Sequence, residues 1–572
     1  MNNFVRHEII LYYMMKKILS SRTENIFLIG FLSIIYLLGL FVPINDNDSA
    51  HHATIALNML LNNDPISLVS HGDPYLDKPH FQFWILQLSF ILLGVTTFAY
   101  KISSLLFTCL TLFSVYKLAR LIYSKDVAIN ATLILATSFA FLMANMDIRM
   151  DAMLTGAVTF SIWKVIEYLN KNSWKSLIFA ALGAAIAFSV KGWYGVGIIA
   201  LTTIFYSISR GAFWDLLKWR FLSIILFFFA FITPELISFY MQYDMHPELL
   251  IRGTTGNSGL RFILFDHFYG RMSGQEFGVA SSNDYLFFFH SLLWSIIPWS
   301  VLYYIGVFDR IARSYREKTL FSNTSLAFVY PVIVIFIGMG ISKFKLPQYI
   351  IPIFPLTALF LASWIDSFTL RALKKANILQ NIQYVLMIIV AIGINYWAFP
   401  VQNHILTLVF IIPGVLMLFK LLQKTDSVKN LVLKGVFVTI FFWLPFNANF
   451  FPQLLSYQGG QNLAKEANKL SLNNKNLFLF NNELDTPFSF DYYTSYVHRL
   501  VTINQMDSLK SNIKPLYLFA EEKDLKFLND NGHQYNILAK SQDFRVTRLT
   551  PAFLNPDTRQ SVLTNVYLLE IK

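Results

Sequence analysis

The sequence has little charge and almost no cysteine. Of its 572 residues, 14% are charged and 55% are hydrophobic, and its mean hydropathy is +0.48. A soluble globular domain carries about 25% charged residues, so the composition excludes an ordinary soluble protein and indicates a polytopic membrane protein. The single cysteine, Cys109, excludes an intramolecular disulfide and a thiolate metal cluster.

Two motif classes are also missing. Neither a phosphate-binding Walker loop nor a GxGxxG loop occurs where it would count, so no nucleotide pocket is expected. No internal repeat is evident, which weakens the case for a transporter built from two matched halves. The net charge of +12 could suggest a nucleic-acid partner. Its lysines and arginines lie mostly in short loops between apolar runs, where they orient helices in a bilayer, so no nucleic acid is expected.

Long apolar runs dominate the chain. About thirteen of them approach the roughly 20 residues that a membrane-crossing helix needs. They lie near residues 24–43, 98–122, 127–146, 152–170, 174–190, 192–209, 219–240, 286–308, 324–341, 347–366, 382–399, 403–422 and 431–450. With a cytoplasmic N-terminus, the basic loops between these runs are all cytoplasmic, which is the positive-inside pattern.

This topology predicts which segments face outward. The first outer loop covers 44–97, and within it the short run FQFWILQLSFILLG (81–94) is predicted to lie along the interface as an amphipathic helix. A larger outer loop covers 241–285. The predicted fold is therefore a polytopic α-helical transmembrane domain (1–455), followed by a small soluble α/β domain (456–572) outside the membrane. Short β-like runs at Leu477–Phe480 and Leu516–Phe519 indicate the strands of that domain.

The first outer loop carries the most informative polar residues. Asp46 and Asp48 directly follow the first apolar run, and Asp77-Lys78-Pro79 follows about thirty residues later. A carboxylate there can act as a general base, which is worth about 10² to 10⁴ in rate, and a proline-braced lysine can face an anion. The alternative is that Asp48 is a solvated carboxylate favouring the N-terminus of a helix that starts near Ser49.

Other charged residues fall on the same predicted side. Asp147 and Asp151 are spaced for one helical face, and Asp151 leads into an apolar helix, where a carboxylate needs a partner or a role. Lys191 interrupts two apolar runs and either reaches the headgroups or holds a phosphate. In the larger outer loop, His267 and Arg271 combine an acid/base group with a guanidinium that suits phosphate oxygens.

The segment SKFKLPQY (342–349) must lie at the membrane interface. Two lysines at the bilayer centre would cost about 5 to 7 kcal/mol together on the insertion scale. Lys343 and Lys345 are therefore expected at headgroup level, beside Tyr349, where a lipid phosphate lies.

The sequence resembles the polyprenyl-phosphate-dependent glycosyltransferases of the GT-C class, especially the protein O-mannosyltransferase and lipid A aminoarabinose transferase group. The resemblance covers about residues 24–365, and the tail matches only as an extramembrane C-terminal domain. The matching motifs are Asp48 at the start of an acidic first-loop motif, GDPYLDKPHFQFWI (72–85) against Gly-x-x-Tyr-Phe/Leu-Asp/Glu-Lys-Pro-Pro, Arg149-x-Asp151, Ser189-x-Lys191-Gly192, Asp266-His267 with Arg271, and SKFKLPQYIIPIFP (342–355).

The resemblance implies roles for individual residues. Asp48 would be the catalytic carboxylate that activates the acceptor, and Asp151 would support that site. The residues expected to bind the donor phosphate are Lys78 and Arg271, with Lys191, Lys345 and Tyr349 as helpers. No cofactor is certain, but some relatives hold a divalent metal ion, zinc or magnesium, at positions matching Asp77 and His267. The sequence departs from the pattern at Ser49, where an acidic partner of Asp48 is usual, and at His80, where a second proline is usual.

The expected function is that of an inner-membrane glycosyltransferase active at the periplasmic face of a bacterium. It would move a sugar from an undecaprenyl-phosphate-type donor to an envelope acceptor with inversion. A lipid A-type lipid is favoured over a glycan or a protein as acceptor. The alternatives are a lipid or sugar transporter or flippase, which predicts charges at mid-membrane, and a structural scaffold, which leaves the clustered charges unexplained.

Overall fold

The computed structural model describes residues 21–46, 48–147, 150–273, 283–480 and 487–572. Up to residue 273 the helices are α1 (Ser21–Gly39), α2 (Asp48–Asn62), α3 (Phe81–Leu93), α4 (Thr97–Ile122), α5 (Lys125–Ala136), α6 (Phe139–Met143), α7 (Asp151–Lys171), α8 (Trp174–Lys191), α9 (Trp193–Ser209), α10 (Trp219–Phe239), α11 (Gly259–Arg261) and α12 (His267–Ser273). A two-stranded antiparallel hairpin, β1 (Val69–Ser70) and β2 (Asp73–Pro74), lies between α2 and α3.

The remaining elements combine long helices with a small sheet. The helices are α13 (Phe287–Ser295), α14 (Ser300–Arg316), α15 (Tyr330–Ile341), α16 (Phe354–Ile365), α17 (Leu370–Ile392), α18 (His404–Leu422), α19 (Val428–Pro445), α20 (Phe451–Leu455), α21 (Gly459–Lys469), α22 (Phe488–Thr494), α23 (Ile503–Asn512), α24 (Glu522–Asp530) and α25 (Pro551–Leu554). The strands are β3 (Leu477–Phe480), β4 (Leu500–Val501), β5 (Leu516–Glu521), β6 (Tyr535–Asp543) and β7 (Thr564–Ile571).

Most predicted spans coincide with helices. The runs at 152–170, 174–190 and 192–209 correspond to α7, α8 and α9. A left-handed residue separates each pair: Asn172 (φ 52°) ends α7, and Gly192 (φ 63°) lies between α8 and α9. Glycine adopts this backbone conformation without a steric cost, which explains the sharp break after Lys191.

Seven helical segments in the described part of the chain are long and apolar enough to cross a membrane. They are Thr97–Ile122, Trp174–Lys191, Trp219–Asp244, Pro347–Ile365, Leu370–Ala398, His404–Leu422 and Val428–Leu455. Some predicted runs are broken: 127–146 divides between α5 and α6, and 286–308 divides between α13 and α14. The polytopic membrane architecture is confirmed, whereas the exact number of spans stays a prediction.

The short run after the first outer loop is helical, as predicted, but its polar residues face inward. Gln82 and Gln87 of α3 are buried, and the Gln87 amide donates to the Met59 carbonyl of α2 at 3.2 Å. The exposed side chains include Leu88 and Leu92. The glutamines therefore attach α3 to the rest of the protein and do not provide the polar outer face of an amphipathic helix.

A five-stranded mixed sheet forms near the C-terminus, in the order β4-β3-β5-β7-β6. The two predicted β-like runs form β3 and the first part of β5, and these strands pair in parallel. Apolar clusters cover both faces of the sheet, with Leu518 and Leu569 on one face and Phe519 and Leu568 on the other. Helices pack over these faces, as is typical of an α/β sheet.

The C-terminal part binds the start of the first outer loop through a few hydrogen bonds. The side chain of Gln458 accepts from the Asp46 amide at 2.7 Å and donates to the Ile44 carbonyl at 2.9 Å. The Tyr493 hydroxyl accepts from the Ile44 amide at 3.0 Å. Residues far apart in the sequence are thereby held beside Asp48.

Candidate active site

Asp48 is the first residue of α2. The positive end of a helix dipole favours a carboxylate at this position. Two cavities meet here, since Asp48 and His51 line both of them. We call them the Lys78 cavity, of about 280 Å³, and the polar cavity, of about 330 Å³.

The Lys78 cavity combines two cations with two carboxylates. Lys78 contacts the neighbouring carboxylate of Asp77, and both line the cavity with Asp48. Arg252 lines it as well; its Nη2 donates to the Leu76 carbonyl at 3.1 Å and lies 4.0 Å from Asp77 Oδ1. Arg252 was not predicted from the sequence, because a single cation in a polar segment forms no pattern. Its backbone is left-handed (φ 50°). A lysine and an arginine in one cavity can bind a phosphate.

The two histidines beside Asp48 are uncharged near neutral pH. Burial lowers the pKa of His51 to about 4 and that of His52 to about 3. The His51 ring stacks on Phe488 with a centroid distance of 4.1 Å, and its Nε2 lies 2.9 Å from the Ser70 hydroxyl. These side chains therefore shape the site as neutral imidazoles and do not add cations for a phosphate.

The polar cavity lies between the first outer loop and the C-terminal sheet. The first loop contributes Asp46, Asp48 and His51 to its lining. The other lining residues are Gln458, Gly460, Pro487, Phe488, Phe519, Glu521, Asp543, Phe544, Arg545, Val546 and Val566. The carboxylate of Asp46 accepts from the Ser489 amide at 3.0 Å and also from the Ser489 hydroxyl.

Asp46 should give the stability of the protein a measurable pH dependence. Burial raises its pKa to about 7, against the opposing hydrogen bonds from Ser489. Because this pKa is higher than in the unfolded chain, the proton stabilises the fold fully below about pH 4, and this contribution is lost as the pH rises through about 7. Asp46→Asn removes the titration. The melting temperature of the native protein, relative to that of the variant, should therefore fall between about pH 4 and 8.

Thermal unfolding of both proteins in detergent would measure this difference. Asp507→Asn, a change to an exposed carboxylate of α23, serves as the matched control and should retain the native pH profile. A native-minus-variant difference that stays constant over the whole pH range would contradict a raised pKa at Asp46.

Ser49, the first departure from the family pattern, contacts a second carboxylate from another segment. Its hydroxyl donates to Asp147 Oδ1 at 2.7 Å. Asp147 therefore approaches the residue after Asp48 from the loop between α6 and α7. A carboxylate is available near the usual acidic position, although the chain supplies it about one hundred residues later.

His80, the second departure, uses a donor that proline does not have. Its backbone N–H donates to Glu235 Oε1 at 2.7 Å, and its ring Nδ1 lies 2.9 Å from the same oxygen. The ring Nε2 lies 2.8 Å from the Ile66 carbonyl. A proline at this position would leave the buried Glu235 carboxylate without either contact. His80 thus joins the lysine-bearing loop to α10.

Asp151 and Lys191 form a buried ion pair. Lys191 Nζ lies 2.7 Å from Asp151 Oδ1, and the two side chains are 6% and 4% exposed. The ammonium also lies 4.4 Å from the centre of the Tyr349 ring. A carboxylate and an ammonium in such surroundings stabilise each other, which supplies the partner that Asp151 was expected to need.

The structure divides the other predicted phosphate ligands among separate places. Lys191 and Tyr349 line a small cavity of about 90 Å³, the Lys191 cavity, whereas Lys78 lines the Lys78 cavity. Lys345 Nζ lies 5.9 Å from the Tyr285 ring centre. Arg271 belongs to α12, but its side chain, like the whole of Arg149, lies outside the described part of the structure.

The predicted metal ligands do not come together. Asp77 lines the Lys78 cavity, where the Tyr75 hydroxyl donates to it at 3.2 Å, whereas His267 lines the Lys191 cavity. His267 packs so closely on the turn after α8 that a Cβ at Gly192 would lie 3.0 Å from its Nδ1. Among the described residues, no group of three or more His, Cys, Asp or Glu side chains could hold a metal ion. The arrangement therefore does not fit a zinc or magnesium ion shared by this pair.

A larger apolar cavity adjoins these sites. Its volume is about 580 Å³, and Val546 belongs to its wall as well as to that of the polar cavity. Most of its lining is apolar, including Val42, Met146, Leu386, Phe442, Phe450, Leu454 and Leu549. Asp147, the acceptor for Ser49, lines the same cavity. Such a cavity has the composition needed to hold a hydrocarbon chain.

Comparison with known sequences points to one group of enzymes. The family described as dolichyl-phosphate-mannose-protein mannosyltransferase matches residues 77–237. An uncharacterized protein of Aquifex aeolicus (strain VF5) is 24% identical over 435 residues, 75% of this chain and 78% of that protein. The undecaprenyl phosphate-alpha-4-amino-4-deoxy-L-arabinose arabinosyl transferase 2 of Proteus mirabilis (strain HI4320) is 24% identical over 357 residues, 60% of this chain. That match spans 61% of the Proteus protein.

Among solved structures, the fold is similar to that of ArnT from Cupriavidus metallidurans, crystallised with bound undecaprenyl phosphate. The TM-score is 0.72 at 15% sequence identity, and the match covers 96% of this chain and 98% of that chain. The apo form of the same protein matches with a TM-score of 0.70. This likeness shows that the two chains share a fold over nearly their whole lengths.

Proposed function

We propose that this membrane glycosyltransferase of the GT-C class takes a sugar from a polyprenyl phosphate and transfers it to an envelope acceptor, with inversion at the anomeric carbon. The resemblance to the mannosyltransferase and aminoarabinose transferase group, indicated by the sequence motifs, is confirmed by the family match and by the relatives. These comparisons do not favour a transporter or flippase.

The observation that carries the proposal is the position of Asp48 between two cavities. Lys78 and Arg252 line one of these cavities, which suits a phosphate; the other, the polar cavity, can take an acceptor. In the proposed step, an acceptor oxygen bonds to the anomeric carbon and its proton moves to the Asp48 carboxylate. The bond from that carbon to the phosphate oxygen breaks, and the phosphate keeps the electron pair. The group that leaves is polyprenyl phosphate.

The leaving phosphate gains negative charge as this bond breaks. Cations that are already in position stabilise such charge most where water is scarce, because the local dielectric constant is low. We assign this role to Lys78 and Arg252, and the motif resemblance supports Arg271 and Lys345 as further contributors. The apolar cavity provides space for part of the prenyl chain, and Asp147 belongs to its lining.

Asp151, Lys191 and Tyr349 would act as a positioning group. Because Lys191 is held between the Asp151 carboxylate and the Tyr349 ring, its ammonium group is fixed in position. Tyr194 ties this group to the next segment, since its hydroxyl donates to the Tyr349 carbonyl at 2.5 Å. The proposed result is a rigid Asp151–Lys191 pair whose ammonium lines the Lys191 cavity, with the Tyr194 and Tyr349 rings excluding water.

The proposed location is the inner membrane of a bacterium, with the site facing the periplasm. This follows from the positive-inside pattern, which places the first loop, the 241–285 loop and the C-terminal part on one outer side. The acceptor would be an envelope lipid, a glycan or a protein, with a lipid A-type lipid favoured by analogy with the relatives.

Comparing the envelope of a deletion strain with that of its parent would test the proposed function. Mass spectra of lipid, glycan and protein fractions should show one sugar modification that is lost on deletion and restored by the native gene. Purified protein should then transfer labelled sugar from a polyprenyl phosphate to the deletion-strain envelope. Envelopes that do not differ, together with no transfer in vitro, would overturn the proposal.

Removal of the Lys78 ammonium should weaken donor binding. Lys78→Ala deletes one charge-assisted contact to the phosphate, which should weaken binding of radiolabelled undecaprenyl phosphate about 10- to 100-fold. Filter binding with protein in lipid nanodiscs measures this affinity. The control is Arg261→Ala, which removes an exposed guanidinium paired with Asp266 in the larger outer loop and should leave the affinity unchanged. An unaltered dissociation constant in Lys78→Ala would contradict the phosphate role.

A further inference from the structure

The polar cavity shares Asp48 and His51 with the Lys78 cavity, and apart from Asp46 its other lining residues come from the C-terminal part of the chain. We infer that the polar cavity is the acceptor subsite and that it takes a hydroxyl group of an uncharged sugar, not a phosphate group. This inference rests on the proposed function and specifies its acceptor. It also gives the C-terminal part a role, because that part supplies most of the residues that would contact the acceptor.

The chemistry of the reaction limits the direction from which the acceptor arrives. In an inverting displacement, the attacking oxygen approaches the anomeric carbon from the side opposite the leaving phosphate. Lys78 and Arg252 mark the leaving side, because they are the cations of the Lys78 cavity. Asp48 and His51 are common to both cavities, so a sugar whose phosphate occupies the Lys78 cavity leaves the polar cavity open to an acceptor beside the same carboxylate. The acceptor hydroxyl would therefore reach Asp48 from the polar cavity.

The charged side chains of the polar cavity disfavour a phosphate. Among the described residues that line the polar cavity, Asp46, Asp48, Glu521 and Asp543 are acidic, and Arg545 is the single lysine or arginine. A phosphate brought among the ionised carboxylates would be repelled, and Asp46, whose pKa burial raises to about 7, adds to this repulsion as the pH rises above that value. The cations Lys78 and Arg252 line the Lys78 cavity instead. The distribution of charge therefore selects against an acceptor that reacts through a phosphate oxygen.

Several of these carboxylates already accept hydrogen bonds from protein donors. Asp46 accepts from Ser489, and Asp543 accepts from the Gly459 amide at 2.8 Å. Glu521 accepts from the backbone at the start of α24. Oriented acceptors of this kind, together with the Arg545 guanidinium as a donor, suit the many hydroxyl groups of a sugar. They are less suited to binding a cation, because their charge is partly satisfied within the protein.

Aromatic side chains form part of the wall of the polar cavity. Phe488, Phe519 and Phe544 line the same cavity as the carboxylates. The Phe544 ring is fixed by stacking on Phe553 at a centroid distance of 3.8 Å. The C–H face of a sugar ring can pack against such apolar side chains while its hydroxyls reach the polar groups. Carboxylates, an amide, a guanidinium and aromatic rings in about 330 Å³ make a cavity that suits a carbohydrate.

The linkage in the natural product tests the inference directly. The sugar that is lost from the deletion strain should be joined to its acceptor by a glycosidic bond to a sugar hydroxyl, which survives the mild acid that cleaves a glycosyl phosphate. Methylation analysis and phosphorus NMR of the parent's product would identify the bond. A sugar attached to a phosphate would overturn the inference and leave the proposed function standing. Loss of no sugar at all would instead count against the proposed function.

Three fractions of the product separate the sources of the same chemistry. The labelled product is divided into a lipid phase, free glycan and protein, because a glycolipid headgroup, a polysaccharide or a glycoprotein could each offer an uncharged sugar hydroxyl. A glycosidic product in any one of these fractions supports the inference and identifies the source. A product on an amino acid side chain with no intervening sugar would overturn it.

A variant pair tests the cavity itself. Arg545→Ala removes an exposed side chain of the cavity wall and should raise the apparent KM for deletion-strain envelope about 10-fold, with binding of undecaprenyl phosphate unchanged. Arg548→Ala, which removes an exposed arginine three residues later that does not line the cavity, is the matched control and should leave KM unchanged. Equal KM values for Arg545→Ala and the native protein would overturn the assignment of this wall to the acceptor.

Discussion

Asp48→Asn should lower the rate of sugar transfer about 10²- to 10⁴-fold, because the amide cannot take the proton of the acceptor hydroxyl. Binding of undecaprenyl phosphate should stay within about two-fold of the native value, since the amide keeps the shape of the carboxylate and Lys78 and Arg252 remain in place. The effect should therefore appear in kcat. Single-turnover transfer from labelled donor, with donor binding measured separately, distinguishes the two quantities.

Another carboxylate of the same loop provides the control for this experiment. Asp73 is exposed in β2 and lines neither the Lys78 cavity nor the polar cavity. Asp73→Asn should transfer sugar at the native rate. Full activity in Asp48→Asn would remove Asp48 from the catalytic role. Loss of activity and of donor binding together would point instead to a disturbed Lys78 cavity.

Lys191→Met should destabilise the protein by about 3 to 5 kcal/mol, because it leaves the Asp151 carboxylate buried without its partner. Asp151→Leu should cost a similar amount, because it removes the carboxylate that pairs with the buried ammonium. The double variant Asp151→Leu with Lys191→Met should recover much of this loss, since two apolar side chains can replace a buried pair. Unfolding in detergent, followed by tryptophan fluorescence, measures all three variants against the native protein.

The double variant separates stability from function. If the pair positions the site, as proposed, the double variant should fold yet transfer sugar slowly. The conservative change Lys191→Arg, which keeps a cation beside Asp151, should transfer sugar faster than Lys191→Met. An exposed pair supplies the control: Lys469→Met breaks the contact with Glu466 and should change stability little. Single variants at 151 and 191 as stable as the native protein would contradict the buried ion pair.

The helical framework could be predicted from the sequence because membrane spans need long apolar runs. The spans predicted at 174–190 and 192–209 correspond closely to α8 and α9, and Gly192 explains the break between them. The divisions within 127–146 and 286–308 were not predicted. An apolar run records hydrophobicity along the chain, and it does not record where packing against other helices interrupts the backbone.

The site could be predicted only in part, for a different reason. Residues in short motifs, such as Asp48 and Lys78, were selected because polar groups beside apolar runs are conspicuous. Arg252 and Arg545 were missed, because each is a single cation in a polar segment without a pattern. Asp147 was noted for its spacing from Asp151, but its contact with Ser49 depends on tertiary packing.

The metal site and the grouping of cations show the same limit. Asp77 and His267 looked compatible as ligands because both were predicted on the outer side, but the folded chain places them in different cavities. Lys78 and Lys191 were assigned to one phosphate on the same reasoning, and they also line separate cavities. A shared side of the membrane brings residues to one surface, whereas a shared ligand requires contacts that the sequence does not encode locally.

In the proposed reaction, the sugar leaves its lipid carrier at Asp48, and the carrier is not moved with it. A polyprenyl-phosphate sugar labelled with tritium in the prenyl chain and with carbon-14 in the sugar tests this directly, with purified protein in nanodiscs and deletion-strain envelope as acceptor. The acceptor should gain carbon-14 without tritium, and free polyprenyl phosphate should accumulate in equal amount. Both labels remaining together in every fraction would contradict the separation of the sugar from its carrier.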